Sequence, residues 1–356
     1  MRTYETEMID RLQDNAEVKT EHGVEFLIKP IPDEDKTDGM DPRMLQAAKE
    51  KIKRAAGRFS ADTFQLYEER FRPDKVNYDL TTEPIQIKQQ LIPVDHHYIN
   101  TFFYRPENSG KSLPIIIYVH GGAFMTGDHI QFENQCKLMA QTAEALVVFP
   151  EYRLAPENPY PAGLEDVWGI LQWVYANADI IHGCREQLVM AGDSAGASII
   201  NGCALRDKGE KIKLLFEIYP CCDIDSFHNP RYPWKESYYT IPEEEKRYIR
   251  SRMDRLMNMG TCMAELYQKN EEIDNPMISI IYQDDFERFP MVVTAIGEFD
   301  FLRMSSDIFT EKCRKAGRLR RAIRYQGCDH GFFDMLGIMP QAEDVILELA
   351  KEVKSL

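Results

Sequence analysis

Gly192-Asp193-Ser194-Ala195-Gly196 follows directly on the apolar run Leu188-Val189-Met190-Ala191 and opens a segment of helical composition. A serine framed by glycines between a strand and a helix is the pattern of a nucleophile held on a strained turn. The flanking residues must be small, because larger side chains two positions either side of the serine would collide. Such a turn lifts the Ser194 hydroxyl above a sheet, beside the N-terminus of the next helix. The N–H of Ala195 is then free to stabilise an oxyanion. A second element, His120-Gly121-Gly122-Ala123-Phe124, follows the apolar run Ile115–Val119. Glycines there let backbone N–H groups approach a substrate closely and supply the remaining oxyanion donors.

A serine hydroxyl needs a base to take its proton. In the chain order nucleophile, acid, histidine, only His228 and His330 of the eight histidines come late enough. His228 stands in Phe227-His228-Asn229-Pro230 and reads as a loop residue. His330 stands in Gly327-Cys328-Asp329-His330-Gly331-Phe332, just beyond a strand, where a base must hang to reach Ser194. The acid that orients it is expected after the preceding strand, and Asp300 in Gly297-Glu298-Phe299-Asp300 meets that requirement. Glu298 is nearer the strand and Asp307 falls within the next helix. Asp329 and Asp334 are too close in sequence to hold the far ring nitrogen of His330.

These residues need a frame. Leu113–His120, Ala145–Pro150, Gln187–Gly192, Leu214–Tyr219, Met291–Ile296 and Leu319–Tyr325 read as buried strands. Phe132–Glu144, Gly163–Ala176, Ala195–Lys208 and Ser305–Ala316 read as helices between them. This alternation predicts a mostly parallel sheet covered on both faces. Pro84–Pro93 and Tyr98–Tyr104 read as a pair of strands preceding it. Asp41-Pro42 is placed as an N-cap and first-turn proline. Met44, Leu45, Ala48, Ile52, Ala55 and Phe59, then Phe64, Tyr67 and Phe71, keep helical spacing, which predicts two helices ending at Pro73.

Residues 1–40 hold eleven acidic and five basic side chains and read as a tail or loosely packed lead-in. Some seventy residues from Cys221 to Pro290 replace a single crossover helix. An insertion of that size at the strand C-termini is expected to form a lid, with a helix opened by Pro242 whose Ile249, Met253, Leu256 and Met257 share a face. The resulting division is residues 1–80 as tail and cap helices, 81–220 and 276–356 as two parts of the core, and 221–275 as cap insertion. Phe124, Tyr219 and His129 are candidates to line a substrate pocket, with ordinary packing the competing reading. Met253, Met257, Met259 and Met263 fit either an adaptable apolar underside of the cap or plain core packing.

The chain has 356 residues, 44% hydrophobic and 28% charged, enough for a large buried core. Its net charge of −15 argues against a nucleic-acid partner. The basic stretches Lys49–Arg58 and Arg314–Arg324 are interrupted by apolar residues and read as solvated faces. Eight scattered cysteines form no CxxC pair, and the Cys221–Cys222 pair has no metal-ligand neighbours at suitable spacing. Reduced, mostly buried thiols and no metal are expected. The N-terminus lacks the apolar core of a signal peptide and no stretch reaches membrane-span length, so a cytoplasmic protein without a membrane partner is expected.

His120–Phe124, Tyr152-Arg153-Leu154-Ala155-Pro156-Glu157 with Pro161-Ala162-Gly163-Leu164-Glu165-Asp166, Gly192–Gly196, Phe299–Arg303 and His330-Gly331-Phe332 together resemble the hormone-sensitive-lipase-like esterases. The resemblance covers roughly residues 80–220 and 276–356. It implies an α/β-hydrolase fold with a helical cap and hydrolysis of short- to medium-chain carboxylic esters, acetyl esters among them, without a cofactor. It also implies Ser194 as nucleophile, His330 as base, Asp300 as acid, and Gly121, Gly122 and Ala195 as oxyanion donors. Relatives further suggest a homodimer. Arg153 and Glu157 are read as scaffold. Ala197 stands where many relatives have glycine, and Phe301 where many have proline. The same triad cleaves amides, so an amidase or arylformamidase is one alternative. A non-catalytic ligand-binding member of the fold, of the kind that has lost the histidine, is the other.

Overall fold

The computed structural model describes residues 1–34, 36–54, 65–71, 76–110 and 112–356, with the backbone alone for 51–54 and 255–257. Among these residues ten strands form one sheet: β1 (Glu17–Glu21), β2 (Val24–Lys29), β3 (Ile85–Val94), β4 (His97–Pro106), β5 (Leu113–Val119), β6 (Leu146–Pro150), β7 (Gly183–Asp193), β8 (Leu214–Ile218), β9 (Met291–Gly297) and β10 (Leu319–Tyr325). Their spatial order is β1-β2-β10-β9-β8-β7-β5-β6-β4-β3. From β2 through β6 every neighbouring pair is parallel, and the antiparallel partners β1 and β4–β3 lie at the two edges. The helices among the described residues are α1 (Glu7–Asp14), α2 (Pro42–Arg54), α3 (Leu66–Arg70), α4 (His129–Ala143), α5 (Ala162–Ala176), α6 (Ala195–Asp207), α7 (Lys246–Met263), α8 (Arg303–Lys315) and α9 (Pro340–Lys354).

Parallel strands are covered on both faces, which explains their near-continuous apolar runs. Along β5, Ile116 and Tyr118 enter one core cluster with Phe132 and Cys136 of α4 and Val345 and Leu349 of α9. Ile115, Ile117 and Val119 enter the other, with Leu164 and Ile170 of α5 and Ile199 of α6. Burying each such side chain stabilises the fold by about 1.5–3 kcal/mol.

The acidic N-terminus differs from the loose lead-in expected of it. Val24, Phe26 and Ile28 alternate inward along β2, which pairs with β10 in parallel and carries β1 on its outer side. Lys29 at its end is buried against Glu348 (2.8 Å) and Asp344 (3.3 Å) of α9. The acidic count hid a two-residue alternation, the signal that matters for a strand. Arg324, expected on a solvated face, is likewise buried, paired with Asp307 at 2.7 Å.

Asp41 caps α2 as its spacing suggested, its Oδ1 accepting from the N–H of Arg43 at 2.9 Å. Ala55, Phe59, Phe64 and Pro73 lie outside the described residues. Within the long insertion, α7 starts at Lys246, four residues after Pro242, and buries Ile249 and Met253. The side chains of Leu256 and Met257 are outside the description. Seven of the eight cysteines are buried, and all eight are unpaired.

Candidate active site

The register of the parallel strands brings the ends of β5, β7, β9 and β10 to one edge, where loops of an open α/β sheet gather a site. Gly192 at the end of β7 is level with Val119 at the end of β5, and Gly297 of β9 with Tyr325 of β10. Ser194 adopts φ +51 between β7 and α6. A Cβ on Gly196 would lie 2.0 Å from the carbonyl oxygen of Val119, and one on Gly192 2.9 Å from the backbone of Gly196. Both glycines are therefore sterically required, as the spacing suggested. The turn is locked from the other side by the Ser194 N–H donating to Ile218 at 2.9 Å and by Cys221 donating to the Ser194 carbonyl at 3.1 Å.

Ser194 Oγ lies 3.0 Å from His330 Nε2, and His330 Nδ1 lies 2.8 Å from Asp300 Oδ2. Asp300 is fully buried; its second oxygen accepts from the N–H of Leu302 at 2.8 Å. Burial pushes the Asp300 carboxyl above its usual range, although His330 and the Leu302 N–H pull it back. For His330, burial acts to lower the pKa, but the charge and hydrogen bond of Asp300 outweigh it and the net shift is upward. His228 is exposed and bonds Asp225 in its own loop, and Glu298 accepts from the N–H of Gly327.

The loop after β5 differs from the expectation in one residue. The N–H of Gly121 donates to Asp193 Oδ1 at 2.7 Å, so Gly121 is not free to serve an oxyanion. Gly122 (φ +114) and Ala123 (φ +54) instead line the cleft together with Ser194 and Ala195. Reading the two glycines as a pair overlooked that Gly121 is engaged and that Ala123 lines the cleft beside Gly122. The signal was Asp193, a carboxylate adjacent to the nucleophile that had no assigned partner. It also accepts from the Tyr118 hydroxyl at 2.6 Å. Burial, with Asp334 nearby, raises the Asp193 pKa to about 7 against the pull of Tyr118, Gly121 and His330. Tyr152 of the YRLAPE stretch fastens the same loop, its hydroxyl donating to the His120 carbonyl at 2.8 Å.

The cleft has a volume of about 430 Å³ and a mainly apolar lining that includes Met44 and Ala47 of α2, Met259 and Met263 of α7, and Tyr219, Phe301 and His330. Tyr219, buried at φ +37, packs 4.6 Å from the His330 ring, as a pocket candidate should. Phe124 does not line the cleft. Its ring lies buried and flat against Tyr267, with centroids 3.8 Å apart. His129 bonds Glu151 and stacks on Phe102. Arg153 is clamped to Asp166 and Glu157 to Arg70, both scaffold contacts. Among the described residues no group of His, Cys, Asp and Glu is arranged to hold a metal ion, and no helix is long and apolar enough to cross a membrane.

A family profile described as the alpha/beta hydrolase fold matches residues 116–334. The esterase LipI of Mycobacterium tuberculosis is 27% identical over 69% of this chain and 74% of its own length. The carboxylesterase NlhH of the same organism is 36% identical over 39% of this chain, a match spanning 44% of that protein. The crystal structure of a hyperthermophilic esterase from the archaeon Pyrobaculum calidifontis superposes with a TM-score of 0.71 at 25% identity, covering 89% of this chain and 98% of the other. The chain belongs to the hormone-sensitive-lipase-like branch of the α/β-hydrolase family.

Proposed function

We propose that this member of the α/β-hydrolase family is a serine carboxylesterase that splits carboxylic esters through Ser194, His330 and Asp300. The observation that carries the reading is the unbroken line Ser194 Oγ–His330 Nε2–His330 Nδ1–Asp300 Oδ2, at 3.0 and 2.8 Å, opening onto a largely apolar cleft. The esterase and carboxylesterase relatives support ester hydrolysis as the activity. The volume of the cleft supports short- to medium-chain acyl groups, acetyl esters included.

In this mechanism His330 Nε2 takes the proton of Ser194 as its Oγ attacks the ester carbonyl. Asp300 fixes the ring tautomer by accepting from Nδ1–H and offsets the positive charge that develops on the imidazole. The N–H groups of Gly122, Ala123 and Ala195 receive the tetrahedral oxyanion, each donor contributing about 3–4 kcal/mol in the transition state. His330 then gives its proton to the departing alcohol oxygen, leaving the acyl group on Ser194. Water, deprotonated by His330, attacks the acyl-enzyme and releases the acid and the free serine. All proton transfers run through one ring, so neither a metal nor an organic cofactor takes part.

The residues of α2 and α7 that line the cleft are read as the underside of the cap, formed by parts of segments 1–80 and 221–275. A homodimer and a cytoplasmic location complete the reading, to be checked by sedimentation velocity and fractionation. The central test is hydrolysis of p-nitrophenyl acetate, butyrate, octanoate and palmitate by the wild type and by Ser194→Ala. Activity on the short esters that collapses in the variant is expected. A folded wild-type protein inactive on every chain length would overturn the reading and turn attention to amide analogues and to ligand binding.

A further inference from the structure

One side chain of α7 reaches past the cleft into the loop that carries the base. The Arg252 guanidinium donates from Nε to Asp329 Oδ2 at 2.5 Å and from Nη2 to the carbonyl oxygen of His330 at 3.0 Å. Asp329 turns its other oxygen, Oδ1, onto the N–H of His330 at 2.5 Å. One arginine and its carboxylate partner thus hold the backbone of His330 on both sides of its Cα. Arg252 also lines the cleft, together with Met259 and Met263 of the same helix.

The ring of His330 must stay within hydrogen-bond reach of Ser194 and Asp300 at once, and its position depends on where its Cα is held. Gly327 (φ +71) and Gly331 (φ +84) bracket the segment, and its backbone ties to Asp41 and Phe299, at 2.9 and 2.8 Å, end at Gly327 and Cys328, short of His330 itself. Asp329 and Arg252 are both buried, at 1% and 8% exposure. Charge-assisted bonds in such a setting are strong, and a planar guanidinium making two of them fixes direction as well as distance.

We propose that Arg252 is a positioning residue for His330, tying the alignment of the base to the seating of α7 against the cleft. The inference rests on the reading of His330 as the base. It assigns the insertion a part in the chemistry beyond shaping the substrate pocket. Removing Arg252 alone leaves Asp329 as a buried, unpaired charge, so a neutral double variant is needed beside the single one.

The test compares Arg252→Met, Arg252→Lys and the double variant Arg252→Met with Asp329→Asn against the wild type and Ser194→Ala. It measures kcat and KM on p-nitrophenyl butyrate per folded molecule, and the NMR resonance of the His330 ring proton shared with Asp300. Both Met variants are expected to lose about a hundredfold in kcat with KM within about twofold, the scale of a small misplacement of a reacting group. Arg252→Lys is expected to recover about tenfold of that loss, since it restores one of the two contacts. The ring-proton resonance should shift or broaden in both Met variants. A lowered melting temperature with wild-type kcat per folded molecule and an unchanged resonance would mean a purely structural pair and overturn the proposal. If Ser194→Ala is as active as the wild type, the esterase reading fails separately, and the resonance still decides the role of Arg252.

Discussion

The turn that carries Ser194 and the helices that line the same cleft are held in place in different ways. At the turn, backbone atoms crowd within 2.0–3.0 Å of where any side chain on Gly192 or Gly196 would begin, so the residue types follow from sterics. Along α2 and α7, Met44, Ala47, Met259 and Met263 present apolar surface that other side chains of similar bulk would also provide. At Gly192 and Gly196 the first region admits no side chain, and the proposed function places the chemistry there. The second admits many side chains, and the same proposal gives it the choice of substrate. Arg252 is the exception on the helical side, because its two contacts need a guanidinium and reach the backbone of the base.

The largest test of this contrast is Ser194→Ala, for which kcat should fall about 10⁵- to 10⁶-fold while the melting temperature stays close to wild type. Asp300→Asn should cost about 10⁴-fold in kcat by releasing the wrong ring tautomer. It should also move the acid limb of the pH–kcat/KM profile. His330 must be neutral to act as a base, and in the wild type Asp300 raises its pKa, so activity falls off on the acid side above the ordinary histidine value of 6.5. Without the Asp300 carboxylate, burial and the charge of Arg252 lower the His330 pKa against Asp329 alone, and the limb should shift to lower pH. A limb that stays in place would show that Asp300 does not set the protonation of His330.

Gly196→Ala should destabilise by about 1–3 kcal/mol, because its Cβ would meet the Val119 carbonyl at 2.0 Å. Thermal unfolding measures this, and an unchanged melting temperature would break the steric account of the turn. On the helical side, Met263→Trp should leave acetyl ester hydrolysis nearly intact and lower the octanoate-to-acetate ratio of kcat/KM by about tenfold, the scale of one or a few methylenes in an apolar pocket.

The smallest expected effect on activity concerns Asp193. Its folded pKa, about 7, lies above the ordinary 3.8, so the fold favours the neutral carboxyl. The stability contributed by that group is present below pH 4 and is lost as pH rises towards 7. Asp193→Asn keeps an oxygen to accept from Tyr118 and Gly121 without demanding a buried charge. The variant should gain stability over the wild type between pH 5 and pH 8, with kcat within severalfold. Parallel melting curves for the two proteins across that range would sink the account.

The order of strands and helices from Ile85 to Tyr325 was legible because buried parallel strands are written as short apolar runs and the helices between them as 3.6-residue periods, whereas α9 (Pro340–Lys354) was not assigned. Ser194, His330 and Asp300 were legible because each follows a strand that ends at the same edge. Where reading failed, a contact distant in sequence was responsible. Gly121 was misassigned because its N–H is taken by Asp193, 72 residues later. Phe124 turned inward because Tyr267 offers it a flat aromatic partner. The N-terminal strand was hidden because its pairing partner is β10, nearly 300 residues away.

The amino-acid sequence by itself determined the local backbone: which residues could stand on a strained turn, which runs had to be buried, and in what order the reactive side chains emerge from the sheet. These follow from sterics and from the period of the apolar pattern, both properties of a few neighbouring residues. The tertiary structure decided which N–H groups remain free, which side chains face the cleft, and that Arg252 of α7 holds the loop of His330. Those outcomes depend on competition among partners brought together only by folding, where a buried donor takes the nearest strong acceptor whatever its distance along the chain.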